Sequence, residues 1–262
     1  MATMEPMNVL WISAHPEPRS LNGALRDEGV DALRALGHEV RESDLYAMRW
    51  NPVVGHEDYA ADPNERFFVG PRSEQAFTEQ TLSADIVAEQ EKLRWADAVI
   101  IQFPLWWYGM PAILKGWFDR VFVKGFGYGT RAADGRVRRY GEGVLEGKRA
   151  MVLVTAGGPE PTFGPRGVNG AMDELLFGLQ HGALWYTGMS VLPPLAVYGA
   201  NRVSDDHYAQ AVAELRDRLK TWEVTEPLPF RAQHGSDYDE DLVLRPEIAP
   251  GVTGLRAHLA DG

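Results

Sequence analysis

Three short segments of this 262-residue chain hold residue types whose spacing suits chemistry. The most conspicuous is Phe103-Pro104-Leu105-Trp106-Trp107-Tyr108-Gly109-Met110-Pro111, which follows an apolar run and places three large aromatics on a turn bounded by Pro and Gly. A lone aromatic usually belongs to a core, but three in succession on such a turn cannot all face one core. They suit a flat apolar platform for a planar ring. The second segment, His15-Pro-Glu-Pro-Arg19-Ser20-Leu21-Asn22, lies between an apolar run and the start of a helical pattern. A helix start carries unpaired N–H groups and partial positive charge, so it binds phosphate well. Ser20 adds a hydroxyl, and His15 and Arg19 offer charge or hydrogen bonds. A plain connection capped by serine has the same composition, and that alternative stays open. Neither GxGxxG nor a Walker lysine is present, which argues against a standard NAD fold and an NTPase. The third segment, Thr155-Ala156-Gly157-Gly158, ends another apolar run. Its paired glycines leave backbone N–H groups open to a ligand that meets no Cβ. One phosphate cradle, one aromatic platform and one row of backbone donors at a common edge are what a flavin requires.

The elements that must position these segments follow from periodicity. Asn8–Ala14 is a short apolar strand, and Leu21, Ala24, Leu25, Val30, Leu33 and Leu36 recur at helical spacing until Gly37. His38–Asp44 reads as a second strand, which completes a βαβ unit and favours a parallel sheet. From Leu45 to about Leu82 the pattern dissolves into Pro, Gly, Asn and charge, and a structureless stretch this long is usually functional. Helix Asp85–Trp95, capped by Ser83, precedes the all-apolar strand Ala98–Phe103, as expected of a central strand covered on both faces. Helix Pro111–Val121, strand Lys148–Thr155, helix Ala171–Tyr186, a fifth strand near Ser190–Tyr198 and helix Asp205–Trp222 follow. The fold expected is a doubly wound α/β sheet of five parallel strands with helices on both faces, whose ligands bind beyond the strands' carboxyl ends. Residues 1–226 form that domain, and the Pro-rich, acidic stretch 227–262 reads as a wrapping extension.

Composition narrows the function. Lys plus Arg number 26 against 37 Asp plus Glu, a net charge of −11 that repels nucleic acid and anionic lipid. The run Arg131–Arg139 is a local basic exception, either a solvated loop or a recruiter of an anionic cofactor. No cysteine is present, so disulfides, thiolate nucleophiles and thiolate metal sites are excluded, and no metal site is expected. No run approaches the roughly 20 apolar residues of a membrane span. Met1–Met7 lacks the basic and apolar regions of a secretory signal, and a cytoplasmic location is expected.

Several motifs together resemble the NAD(P)H:quinone oxidoreductases of the DT-diaphorase group. They are His15 with Ser20-Leu-Asn22, Glu42-Ser-Asp-Leu-Tyr-Ala-Met48 with Asn51-Pro52, Asp85-Ile-Val-Ala-Glu-Gln90, and above all Gln102 through Phe122. The likeness runs from about Asn8 to Trp222. It implies a homodimer with FAD, rather than FMN, in a site shared across the interface. NADH or NADPH reduces the flavin and leaves, and a small aromatic acceptor then takes the same slot in a ping-pong cycle. By matching positions, His15, Arg19, Ser20, Leu21 and Asn22 hold the dinucleotide phosphates. Pro104, Leu105, Trp106, Trp107 and Tyr108 hold the ring, with Thr155, Ala156, Gly157, Gly158 and Phe163. The substrate slot is assigned Trp107, Tyr108, Phe126, Phe163 and Asn169, with Tyr128 and Tyr186 of the partner chain as its roof. Two departures stand out: the family's tyrosine and histidine that stabilise charge on the reduced flavin are replaced by Phe163 and Asn169. Phe163 donates no proton and Asn169 takes up no charge, so that task shifts to the backbone near Gly158 and to Asn169 as a hydrogen-bond donor. The resemblance also admits an ancillary subunit of a potassium efflux system, or a tailoring, azo or nitro reductase.

Overall fold

The computed structural model describes residues 5–260. Six parallel strands form its sheet: β1 Asn8–Ser13, β2 Glu39–Asp44, β3 Ala98–Pro104, β4 Arg149–Thr155, β5 Ser190–Val191 and β6 Leu195–Val197. The spatial order is β2-β1-β3-β4-β5, and β6 also pairs with β4. The expected fifth strand is therefore divided. Arg149 and Ala150 face Ser190 and Val191, while Leu153 to Thr155 face Leu195 to Val197. Pro193 and Pro194 lie between the two pieces, and proline has no N–H to give a ladder.

Side chains alternate across the sheet and define two cores. Val9 and Trp11 of β1 with Ala98 and Ile100 of β3 pack under helices α1 (Leu21–Ala35) and α6 (Asp205–Thr221). Leu10, Ile12, Val99, Ile101 and Phe103 point the other way, toward α3 (Ala84–Trp95), α4 (Ala112–Val121) and α5 (Met172–Leu179). All seven residues of β3 are buried, as befits a strand covered on both faces.

The Leu45–Leu82 excursion is more ordered than its sequence suggests. It contains a 3-10 turn, His56–Tyr59, and helix α2, Val69–Glu79. Only Ser73 and Ala76 of α2 are buried, so it shows no apolar stripe, and its Gly70-Pro71 start resembles a loop. A buried cation holds the excursion to the domain. Arg120 on α4 meets Asp58 at 2.6 Å and Asp85 at 2.7 Å, donates to the Asn51 carbonyl and lies over the Trp50 ring.

The expected helix Ala171–Tyr186 is α5 followed by a π-helical turn, Gln180–Trp185, a widening often found near functional sites. From Leu228 the chain returns against this turn. The Leu228 N–H donates to Val191, Phe230 bridges Leu259, and Arg231 donates to the carbonyls of Ala257 and Leu259.

Candidate active site

The carboxyl ends of β1, β3 and β4 are neighbours in the sheet, so the three segments read from sequence meet at one edge. After β1, Ser20 caps α1: its hydroxyl oxygen accepts from the Gly23 N–H at 3.2 Å. His15 Nδ1 lies 3.0 Å from that hydroxyl and 3.1 Å from both the N–H and the carbonyl oxygen of Glu17. The N–H groups of Leu21 and Asn22 donate to nothing among the described residues. Arg19 does not reach this helix end. Its guanidinium grips Glu17 at 2.9 Å and is otherwise in solvent, and that pairing holds the Glu17 carboxyl below its ordinary pKa.

Asn22 has a second part in the fold. Its side chain is buried and donates to the Thr155 hydroxyl at 2.8 Å, so both groups tie the first loop to the third. Gln102 extends the tie. It donates to the Asn22 carbonyl at 2.7 Å and accepts from the Trp11 indole at 2.8 Å. Asn22 Oδ1 remains buried without a partner, an acceptor left over at the edge.

The aromatic segment is a two-residue hairpin turn. Trp106 and Gly109 exchange both backbone hydrogen bonds, and Trp107 (φ 49°) and Tyr108 (φ 61°) are both left-handed. That turn type normally takes Asn-Gly, because each bulky left-handed residue costs about 1–2 kcal/mol. Such strain persists where function needs the geometry. It drives the Trp107 side chain out of the chain, 97% exposed. Pro104 is buried in β3, and the Leu105 N–H is spent on the Thr155 carbonyl. The amides of Trp107 and Tyr108 stay unpaired among the described residues.

At the third segment the Ala156 N–H pairs with Val197, while those of Gly157 and Gly158 donate to nothing among the described residues. A Cβ on Gly158 would stand 3.1 Å from Phe163 and 3.6 Å from Asn169 Nδ2, so both residues lie against that edge. Phe163 is buried and packs on Tyr198. Asn169 is held at both ends: its Oδ1 accepts from the Tyr108 hydroxyl at 2.9 Å, and its Nδ2 donates to the Thr162 hydroxyl at 2.8 Å. The second Nδ2 hydrogen is uncommitted. Sequence reading missed Thr162 as an anchor and Tyr108 as a hydroxyl donor. It also missed Asn201, whose amide would lie 2.5 Å from a Cβ on Gly157. Only the fold brings these residues to the glycines.

Tyr128 and Tyr186 do not join this set. They line an apolar cleft of about 870 Å³ with Gly109, Met110, Phe118 and Leu179. Phe126 joins neither group. It is 2% exposed, packed on Phe77 and Phe122 under the Arg94 guanidinium, and unavailable to a substrate. The Arg131–Arg139 run is largely neutralised: Arg136 pairs with Asp134 and Arg138 with Glu146, and Arg131 donates to the Gly135 carbonyl.

The fold and the strand-end edge define a flavodoxin-like protein, and the chain belongs to the family described as "Flavodoxin-like fold", whose model matches residues 7–220. Relatives narrow the comparison. A ribosyldihydronicotinamide dehydrogenase-like protein from Penicillium crustosum is 47% identical over 235 residues, 88% of this chain and 87% of its own. NAD(P)H dehydrogenase [quinone] 1 of Rattus norvegicus is 42% identical over 230 residues, 87% of this chain and 81% of its own. A Klebsiella pneumoniae crystal structure described as a quinone reductase is 53% identical, with a TM-score of 0.93 over 97% of this chain and 100% of that one.

Proposed function

We propose that this chain is a cytoplasmic NAD(P)H:quinone oxidoreductase that binds FAD, works as a homodimer and follows a ping-pong cycle. The observation that carries the reading is the clustering of unpaired N–H groups at three adjacent strand ends: Leu21 and Asn22, Trp107 and Tyr108, Gly157 and Gly158. Folding leaves such donors open where a ligand takes them up. The residues present fit a flavin: the α1 start for its phosphates, the aromatic turn beside its ring, and the glycine edge free of Cβ atoms. FAD rather than FMN is favoured by α2 and the tail, which add surface beyond the sheet for an adenosine half. The relatives named for quinone substrates support the acceptor class.

When bound, the flavin supplies hydride acceptance and donation. The chain supplies electrostatics and shape. The free amides of Gly157 and Gly158 and the second Asn169 N–H are fixed dipoles that favour negative charge at their edge. Tyr108 and Thr162 hold the Asn169 amide in one orientation. The roof is supplied in trans: Trp107 stands uncovered in one chain, while Tyr128 and Tyr186 line a separate cleft.

Chromatography of the flavin released on denaturation is expected to show FAD, and sedimentation to show a dimer. FMN alone, or a fully active monomer, would sink those parts of the reading. Asn169→Ala is expected to slow flavin reduction about ten- to hundredfold, the loss of about 1–3 kcal/mol for a hydrogen bond to developing charge. Tyr108→Phe, which only frees the Asn169 amide to turn, is expected to cost about threefold to tenfold. The Tyr108–Asn169–Thr162 cluster has no imidazole and no carboxylate, so the reductive rate is expected to vary little between about pH 6 and 8. A steep one-proton dependence across that range in stopped-flow traces would show that a titrating group outside this cluster takes part instead.

A further inference from the structure

We propose that the cavity between the π-helical turn and the C-terminal tail is a second binding site, for a small hydroxylated aromatic carboxylate. It encloses about 390 Å³, room for one ring or two fused rings, and Arg139, Tyr140, His181, Tyr238, Leu242 and His258 are on its wall. None of these residues belongs to the strand-end edge.

His181 is the first reason. Its ring is stacked between Tyr140 at 4.9 Å and Phe177 at 4.6 Å, with the Phe230 ring at 5.1 Å set nearly perpendicular to it. Neither of its nitrogens has a hydrogen-bond partner among the described residues, yet the residue faces the cavity. Burial, with the adjacent His258 adding to it, pushes the imidazole down to about 4, so near neutrality it is uncharged. A neutral imidazole presents one N–H donor and one bare nitrogen acceptor. Both nitrogens open into the cavity rather than being spent on the protein, so a ligand there can take them up. A ring hydroxyl, donor and acceptor at once, complements it.

Arg139 is the second, independent reason. Within the basic run it is the arginine turned toward the tail, where its Nε donates to Gln233. It pairs with no carboxylate among the described residues, and its terminal nitrogens are uncommitted. Arg231, also on the cavity wall, is by contrast saturated by Asp237 and by the carbonyls of Ala257 and Leu259. In a chain of net charge −11, an arginine left without a carboxylate beside an aromatic cavity selects an anion, and its planar fork matches a carboxylate. Phe177, Leu242 and Leu255 complete an apolar lining for the ring.

The site is wired to the proposed acceptor slot. The Tyr140 N–H donates to the Tyr186 carbonyl at 3.0 Å, and the two rings meet edge-on at 5.0 Å. A ligand against Tyr140 and His181 bears on the position of Tyr186. This consequence rests on the quinone-reductase reading; binding itself does not.

Equilibrium binding of 4-hydroxybenzoate and 1-hydroxy-2-naphthoate to the flavin-loaded protein, by calorimetry, tests the site without turnover. Saturable binding at one site per chain is expected, persisting in saturating nicotinamide nucleotide or quinone even where the acceptor shifts its affinity. Arg139→Ala is expected to weaken it at least tenfold and Arg139→Lys less, with flavin content and turnover without ligand unchanged. His181→Phe, which keeps the stack and removes the nitrogens, is expected to weaken it similarly. Absence of saturable binding, displacement by the acceptor, or parental affinity in both Arg139→Ala and His181→Phe would overturn the proposal. If binding holds while the acceptor KM does not respond, the site stands and its coupling to Tyr186 fails.

Discussion

Arg120→Ala is expected to destabilise the protein by about 3–5 kcal/mol, the cost of leaving a buried charge without its partner. Asp58 is completely buried and Arg120 is 3% exposed, so the substitution strands the Asp58 carboxylate in the interior without its counter-charge. The substitution also releases Asp85, the Asn51 carbonyl and the face of Trp50. These partners lie on the Leu45–Leu82 excursion and at the start of α3, so the excursion should detach first. Thermal unfolding is expected to fall by roughly 6–20 °C, with α2 amides exchanging faster than those of β3. Pairing Arg120→Met with Asp58→Asn removes both charges and should recover part of the loss. Partial burial alone would raise the Asp85 carboxyl, but its bonds to Arg120 and Ser83 outweigh that and hold it below its ordinary value. The stability it contributes is therefore present above about pH 4 and is lost as pH falls through the lowered value. An Arg120→Ala protein with parental thermal stability would show that the excursion is held by something else.

Gly23→Ala is expected to weaken flavin binding on the order of a hundredfold while leaving the sheet folded. The new Cβ would stand 1.8 Å from the Pro18 carbonyl oxygen and 2.6 Å from its carbon. Both are backbone atoms, so no rotamer relieves the clash, and the loop from His15 to Ser20 must move by about 1 Å or more. That loop fixes the serine cap and the open end of α1. A misplacement of this size costs on the order of a hundredfold where several groups must align on a ligand. Ser20→Ala is the control. It removes only the cap, about 1 kcal/mol, and should weaken flavin about tenfold or less. Titration of the flavin-stripped variants with FAD measures both. Parental affinity in Gly23→Ala would mean that the α1 start does not hold the phosphates.

Much of this was legible in the residues. Strands β1, β3 and β4 are compact apolar runs, β2 is a polar edge strand placed by its position after α1, and α1 and α6 carry serine caps ahead of a periodic face, so local signals agree with the fold. The three site segments were legible because each follows a strand end. What escaped depends on long-range contact. Helix α2 has no apolar stripe, and the Arg120 pair holding its segment joins residues 62 positions apart. Tyr108 looked like part of an aromatic platform, and only the left-handed turn delivers its hydroxyl to Asn169. Asn22 and Thr155 were assigned to the cofactor by the resemblance, and the fold adds a contact between their side chains that ties the first segment to the third. Phe126, two residues before Tyr128, shares its loop but faces the core.

Anaerobic stopped-flow reduction of the purified, flavin-loaded protein by NADH or NADPH, followed by mixing with a quinone, tests the central claim most directly. The account predicts that one nucleotide bleaches one flavin per chain. The quinone should then restore the oxidised spectrum in a two-electron step, with no radical absorbance between. A protein that holds no flavin, or whose flavin neither nucleotide reduces, would contradict it.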